Sequence, residues 1–275
     1  MAFAFYFFVF LFGLIIGSFL NCFIWRLHEG EGMWNRSYCP KCRNQIAWYD
    51  NIPVISFILL GGKCRNCKEK ISFQYPIVEL TTGILFLMAF LNNESGIMNY
   101  GAFVFSDVNN LSVVILNSKF LILNLRDWFV IAVMTVIFIY DLRWYLILDE
   151  ISLPACLIVF LFNLFLGINW LALLISGIIG GSFFLIQFVI SKGKWIGGGD
   201  IRLGLLMGLA LGRFDYLLLA ILLAYFAGSF VGLGLIIFGR KKWDSQIPLG
   251  VFLSVSIVFV IFWGEAIMNW YLGFF

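Results

Sequence analysis

Four cysteines and two aspartates carry chemistry by type and spacing. Cys39-Pro-Lys-Cys42 and Cys64-Arg-Asn-Cys67 are two Cys-x-x-Cys pairs with 21 residues between them. Each pair puts two thiols on one tight turn, and two such turns supply the four thiolates that suit tetrahedral zinc. Pro40, Lys41, Arg65 and Asn66 are turn formers and cations, which favour the deprotonated thiol. Two disulfides or redox pairs are the other reading of this spacing, and a reducing compartment argues against them. A four-cysteine zinc site has no open coordination position, so its expected role is folding. Cys22 and Cys156 lie in apolar runs and read as small buried hydrophobes.

Asp141 closes the apolar run Trp128–Tyr140, and Asp200 follows Gly197-Gly198-Gly199 just before the next apolar run. Two carboxylates brought within a few ångströms cannot both ionise easily and share a proton. The charged member then activates a water, and the protonated one hydrogen-bonds a scissile carbonyl. The glycines let a backbone come close with no Cβ in the way. Other readings of the same residues stay open. Asp200 suits the N-cap of a helix starting at Ile201, and Asp141 an interfacial charge paired with Arg143. Asp149, with Ser152 and Pro154, reads first as a helix start. Glu79 is either a binding carboxylate at the edge of a span or a first-turn glutamate favoured by the helix dipole.

The elements that must position these groups are set by composition. The chain has 275 residues, 62% hydrophobic and 12% charged, against about 25% charged in soluble domains. Its 18 Lys+Arg and 15 Asp+Glu cannot coat a soluble surface, and 32 Phe and 10 Trp exclude disorder. The class is an all-α polytopic membrane protein. Apolar segments long enough to span begin near Ala2, Pro76, Asp127, Ile151, Trp170, Leu203, Tyr216 and Pro248, about eight transmembrane helices in all. The polar 92–126 stretch carries no motif. With the amino terminus outside, only Lys119, Arg126 and Arg213 of the 18 cations fall outside, which leaves fifteen inside. That positive-inside bias puts both termini outside and the 27–75 segment in the cytosol. The expected organisation is a first transmembrane helix (1–26), a small cytosolic zinc-binding module (27–75), and a membrane-embedded domain carrying the carboxylates (76–275). The acids in or beside the spans (Glu79, Asp141, Asp149, Glu150, Asp200, Glu265) are functional candidates by default. No nucleic-acid partner is expected; lipid is the main solvent.

Taken together, these residues resemble the type IV prepilin peptidase family along nearly the whole chain. The resemblance rests on Gly17-Ser18-Phe19-Leu20-Asn21 with Arg26-Leu27, on the two Cys-x-x-Cys pairs, and on Asp50-Asn51-Ile52-Pro53-Val54. It continues through Tyr75-Pro76-Ile77-Val78-Glu79-Leu80, Asp141-Leu142, Gly197-Gly198-Gly199-Asp200-Ile201-Arg202-Leu203 and Gln246-Ile247-Pro248-Leu249-Gly250. It implies an intramembrane aspartic protease of the Gly-x-Gly-Asp class in the bacterial inner membrane, with Asp141 and Asp200 catalytic. Its implied substrates are prepilins or pseudopilins with a short basic leader, cut on the cytoplasmic side. Many members of the family then methylate the new amino terminus with S-adenosylmethionine. Glu79, Gly197, Gly198 and Gly199 are candidates for substrate or methyl-donor contact, and Cys39, Cys42, Cys64 and Cys67 for the metal. Arg202 stands where the family usually has lysine, and Leu148 where it often has proline. Three readings compete with the double activity: a peptidase without methyltransferase activity, an ion-coupled transporter using Asp141 and Asp200 as a proton relay, and a metal-anchored subunit docking a cytosolic ATPase.

Overall fold

The computed structural model describes residues 2–32, 36–99, 118–239 and 246–273. The cations Arg240, Lys241 and Lys242, and positions 100–117 of the polar stretch, lie outside the described residues. Among the described residues the protein is helical, with no strand and only two isolated backbone bridges, Tyr38–Gln45 and Lys63–Lys70. In chain order the helices are α1 (Ala2–Glu29), a short α2 (Ile55–Leu59), α3 (Gln74–Asn99), α4 (Ser118–Trp144), α5 (Asp149–Phe165), α6 (Trp170–Ser191), α7 (Gly198–Leu211), α8 (Phe214–Ile237) and α9 (Leu249–Leu272).

The eight long helices correspond to the eight apolar segments, but the span count differs. Six of them (α1, α3, α4, α6, α8 and α9) are long and apolar enough to cross a membrane among the described residues. At 17 and 14 residues, α5 and α7 reach only about 26 and 21 Å at 1.5 Å per residue, short of a hydrocarbon core of about 30 Å. The protein is therefore a multi-pass membrane protein, with six helices among the described residues that meet the length and apolarity of a span where the sequence suggested about eight. The helix ends also move. Most notably, α4 begins at Ser118, nine residues before the apolar run suggested, so Asp127 lies inside it.

The chain forms two compact units, Met1–Asn92 and Asn93–Phe275. In the first, α1 packs on α3 through backbone contact. A Cβ on Gly13 would fall 2.7 Å from Gly83 Cα, and one on Gly17 the same distance from Glu79 Cα. Such small-residue spacing lets two membrane helices approach where lipid supplies no hydrophobic drive. Phe5 on Phe90 and Phe12 on Phe86 extend the seam, and Asn21 donates to the Tyr75 carbonyl at 3.1 Å.

The second unit is built around α7, nine of whose 14 residues are buried, so it is the central helix rather than a lipid-facing one. Leu203, Leu206 and Met207 are fully buried in one apolar cluster with Leu173 and Phe184 of α6, Leu217 of α8 and Leu253 of α9. Against α6 the contact is backbone on backbone. A Cβ on Gly208 would sit 2.2 Å from the Ser176 carbonyl oxygen, and one on Gly180 2.2 Å from that of Gly204. Outward, Ile186, Phe226 and Phe230 are exposed, as lipid-facing side chains should be.

Gly208→Val should therefore lower the thermal midpoint of the purified protein sharply, because overpacking costs about 1–3 kcal/mol or more where backbone cannot yield. Gly234→Ala, whose added Cβ meets nothing within 4 Å, is expected to leave the midpoint unchanged or raise it. Equal midpoints for the two variants would contradict the packing described.

Candidate active site and metal centre

Asp141 comes from the last turn of α4, and Asp200 from the first turn of α7. Both are buried, at 5% and 7% exposure, and the Asp141 carboxylate lies within electrostatic reach of Asp200. Each is received by the N-terminus of a helix, where backbone N–H groups lack intrahelical partners. Val251 in the first turn of α9 donates its N–H to Asp141 Oδ2 at 3.0 Å, and the Gly250 N–H also reaches that carboxylate. Gly250 is glycine for a steric reason: its Cβ would lie 2.8 Å from Asp141 Oδ2. The Gly197 N–H donates to Asp200 Oδ2 at 2.9 Å. This is one arm of a capping box, since glycine has no side chain to return the second bond.

These contacts decide between the readings that the sequence left open. Asp200 is the third residue of α7, not its N-cap, because Gly198 and Gly199 are already helical. Arg143 lies over the Trp144 ring, while Asp141 turns to α9. Asp149 does begin α5, and it also pairs with Arg202. The three glycines differ in surroundings. Gly198 faces open space, Gly197 supplies the N–H, and a Cβ on Gly199 would fall 2.7 Å from Ile147 Cβ. Ile147, whose Cδ1 lies 3.0 Å from the Cβ position of Gly250, thus links the starts of α7 and α9. Reasoning from sequence missed Ile147 and the α9 amides, although Pro248-Leu249-Gly250 was a visible helix-start signal.

In the first unit the four cysteines converge. Their sulfurs lie within 4.8 Å of one another, with Cys39 Sγ and Cys67 Sγ 3.8 Å apart. Zinc–sulfur bonds of about 2.3 Å in a tetrahedron put sulfurs about 3.8 Å apart, so the cage fits a metal of that size. The two turns match. Arg43 (φ +59°) donates its N–H to the Cys39 carbonyl at 2.9 Å, and Lys68 (φ +58°) its own to Cys64 at 3.0 Å. Backbone N–H groups of Cys67 and Asn66 draw the Cys64 thiol down to about 7. Cys67 has the opposite fate: although the Glu69 N–H favours its thiolate, desolvation and the sulfurs of Cys64, Cys42 and Cys39 push it up to about 12. Four sulfurs so close ionise together only around a cation. Arg65, inside the second turn, grips Asp50 through Nε (2.7 Å) and Nη2 (2.6 Å) and holds that carboxyl below the usual range.

Glu79 is the sixth residue of α3, beyond the first turn, which removes the simple dipole reading. It is 6% exposed and accepts the Val54 N–H at 2.7 Å, with the Ser18 hydroxyl on the same carboxylate. Val54 has φ +61°, a strained conformation for a β-branched residue and one that recurs at ligand clamps.

Two family models match the chain. One, the bacterial Peptidase A24 N-terminal domain, covers residues 11–93, and the other, the type IV leader peptidase family, covers 128–233. The prepilin leader peptidase/N-methyltransferase of Aeromonas hydrophila is 31% identical over 294 residues, 96% of this chain and 92% of its own. The protein of the same name from Vibrio cholerae is 31% identical over 270 residues, covering 90% and 93%. That from Pseudomonas aeruginosa is 28% identical, covering 96% and 92%. No solved structure matches.

Metal analysis of purified protein should find about one equivalent of bound metal, as a four-cysteine site requires. Cys64→Ser and Cys39→Ser should each release it and loosen protease resistance across 36–73. A folded module with no metal would overturn the assignment.

Proposed function

The chain belongs to the type IV leader peptidase family, and from that premise we propose that it is a membrane aspartic endopeptidase. It removes the short basic leader from prepilin-like precursors on the cytoplasmic side and then N-methylates the new amino terminus. What supports this reading is that Asp141 and Asp200 are both buried at helix ends with a backbone N–H turned toward each, and that Ile147 lies against both Gly199 and Gly250 beside them.

In the proposed mechanism the pair shares one proton. The ionised carboxylate takes a proton from a water whose oxygen attacks the scissile carbonyl carbon. The protonated one hydrogen-bonds the carbonyl oxygen as charge develops there. Collapse of the tetrahedral intermediate breaks the C–N bond as the amide nitrogen takes up the proton. The leader leaves as a carboxylic acid, and the mature chain keeps a free amine. Gly198, open on its exposed side, leaves room for an extended substrate strand beside Asp200, with Gly197 and Gly199 shaping the same turn. S-adenosylmethionine, where bound, would supply the methyl group for that free amine. Glu79, a buried carboxylate outside this pair, suits the cationic end of either reactant. The four cysteines would hold zinc as a structural ion in the cytosolic module, and both termini lie outside by the charge distribution. A transporter reading of the aspartates finds no support in the family.

Incubating the detergent-solubilised protein with a prepilin-like peptide should release the leader. Asp141→Asn and Asp200→Asn should each cut the rate at least about a thousandfold, the scale at which catalytic groups act. Cleavage surviving in both would sink the dyad. Mass spectrometry of the product with added S-adenosylmethionine should show one added methyl group; an unmodified amine at full cleavage would limit the protein to proteolysis.

A further inference from the structure

A second buried polar cluster lies at the other end of α4. Asp127 is 1% exposed, Asn163 0%, Asn124 2% and Asn93 7%. Arg126 donates to Asp127 Oδ1 through Nε (2.8 Å) and Nη2 (2.6 Å), and Asn93 Nδ2 donates to Asp127 Oδ2 at 2.9 Å. Arg126 Nη1 donates to Asn163 Oδ1 at 3.2 Å, and Asn163 Nδ2 to the carbonyl of Leu209 at 2.6 Å. That carbonyl is one of the last four of α7, which have no intrahelical donor. The chain of contacts therefore runs from an ion pair on α4, through α5, to the C-terminal end of the helix that carries Asp200.

The packing of α7 explains why its far end needs a fixed point. Gly204 and Gly208 lie against Gly180, Ser176 and Gly177 with backbone in contact, and the Phe184 ring covers Gly204. Leu205 and Leu209 of α7 lie over Gly177 of α6 in the same seam, so the contacts named between these two helices are apolar or backbone packing, with no side-chain hydrogen bond among them to fix the axial register. A slide of one residue moves every group on α7 by about 1.5 Å. Misplacing a reacting group by about 1 Å costs a hundredfold in rate.

We propose that Asn163, held by the Arg126–Asp127 pair, is a positioning residue for the reaction: it pins the C-terminal end of α7 and so sets the distance of Asp200 from Asp141. The proposal rests on the reading of those aspartates as the catalytic pair. Asp127 and Asp141 are 14 residues apart, close to four turns, so one side of α4 carries both the clamp and the chemistry.

The test uses the full-length enzyme in detergent with a prepilin-like peptide. Asn163→Leu keeps the volume and removes both hydrogen bonds; Asn163→Ser is the milder second variant, too short to reach Arg126 and Leu209 together. Melting curves report the folded fraction, and rates are normalised to it. Among the described residues, the Arg202–Asp149 pair in the same helix start and Tyr225 within electrostatic reach of Asp200 are untouched. The expected result is a 10- to 100-fold fall in kcat at unchanged KM, by the ångström-scale sensitivity above, with the limbs of the pH–rate profile displaced because the coupling between the aspartates has changed. A normalised kcat and pH profile equal to the parent's in both variants would overturn the proposal. So would a rate loss fully accounted for by the folded fraction. Failure of the underlying reading looks different: Asp141→Asn and Asp200→Asn would then remain active.

Discussion

A carboxylate withdrawn from water must be given other dipoles, and most of the second unit follows from meeting that demand twice in one place. Asp141 is met by the first turn of α9, and Asp200 by the first turn of its own helix. Both solutions bring a helix N-terminus, with its surplus of N–H groups and partial positive charge, to the pair. The steric terms follow from the electrostatic one. Gly250 has no side chain because Asp141 occupies that space, and Gly199 none because Ile147 does. Val251 lies 110 positions from Asp141 in sequence, so the pair's environment exists only once α4, α7 and α9 have assembled.

The same demand explains the polar residues at the opposite end of α7. With nine of its 14 residues buried, α7 sits within the protein, and both of its ends find partners there. At its start Asp200 and Gly197 satisfy each other. At its end Gly212, in the left-handed conformation that suits a glycine cap, returns its N–H to Gly208, and Asn163 answers the Leu209 carbonyl.

Much of this was legible in the sequence, and the failures have physical causes. The four cysteines announced their cage because metal geometry is local to two turns. Apolar runs located the long helices because lipid enforces their composition. Surroundings are not legible where a buried short helix is as apolar as a lipid-facing one: Leu203 to Leu211 reads the same whether lipid or protein surrounds it. The start of α4 was misplaced for the opposite reason. Asn124, Arg126 and Asp127 look like a polar loop, yet they are helical and buried because they satisfy one another and Asn93 and Asn163. A single chain shows the polarity of such residues but not their partners. The signal was nonetheless present, since an acid and an asparagine within apolar surroundings are costly unless paired.

The first unit applies the same logic on a smaller scale. Glu79 is buried beside Gly17, where the backbones of α1 and α3 are too close for a side chain between them. It accepts the N–H of Val54, whose backbone is left-handed at φ +61°, and the Ser18 hydroxyl. Four positions upstream of Val54, Asp50 is held by two hydrogen bonds from Arg65, within the second cysteine turn. The second cysteine turn, which carries Arg65, and the 50–54 segment that reaches Glu79 are thus joined by specific hydrogen bonds within one unit.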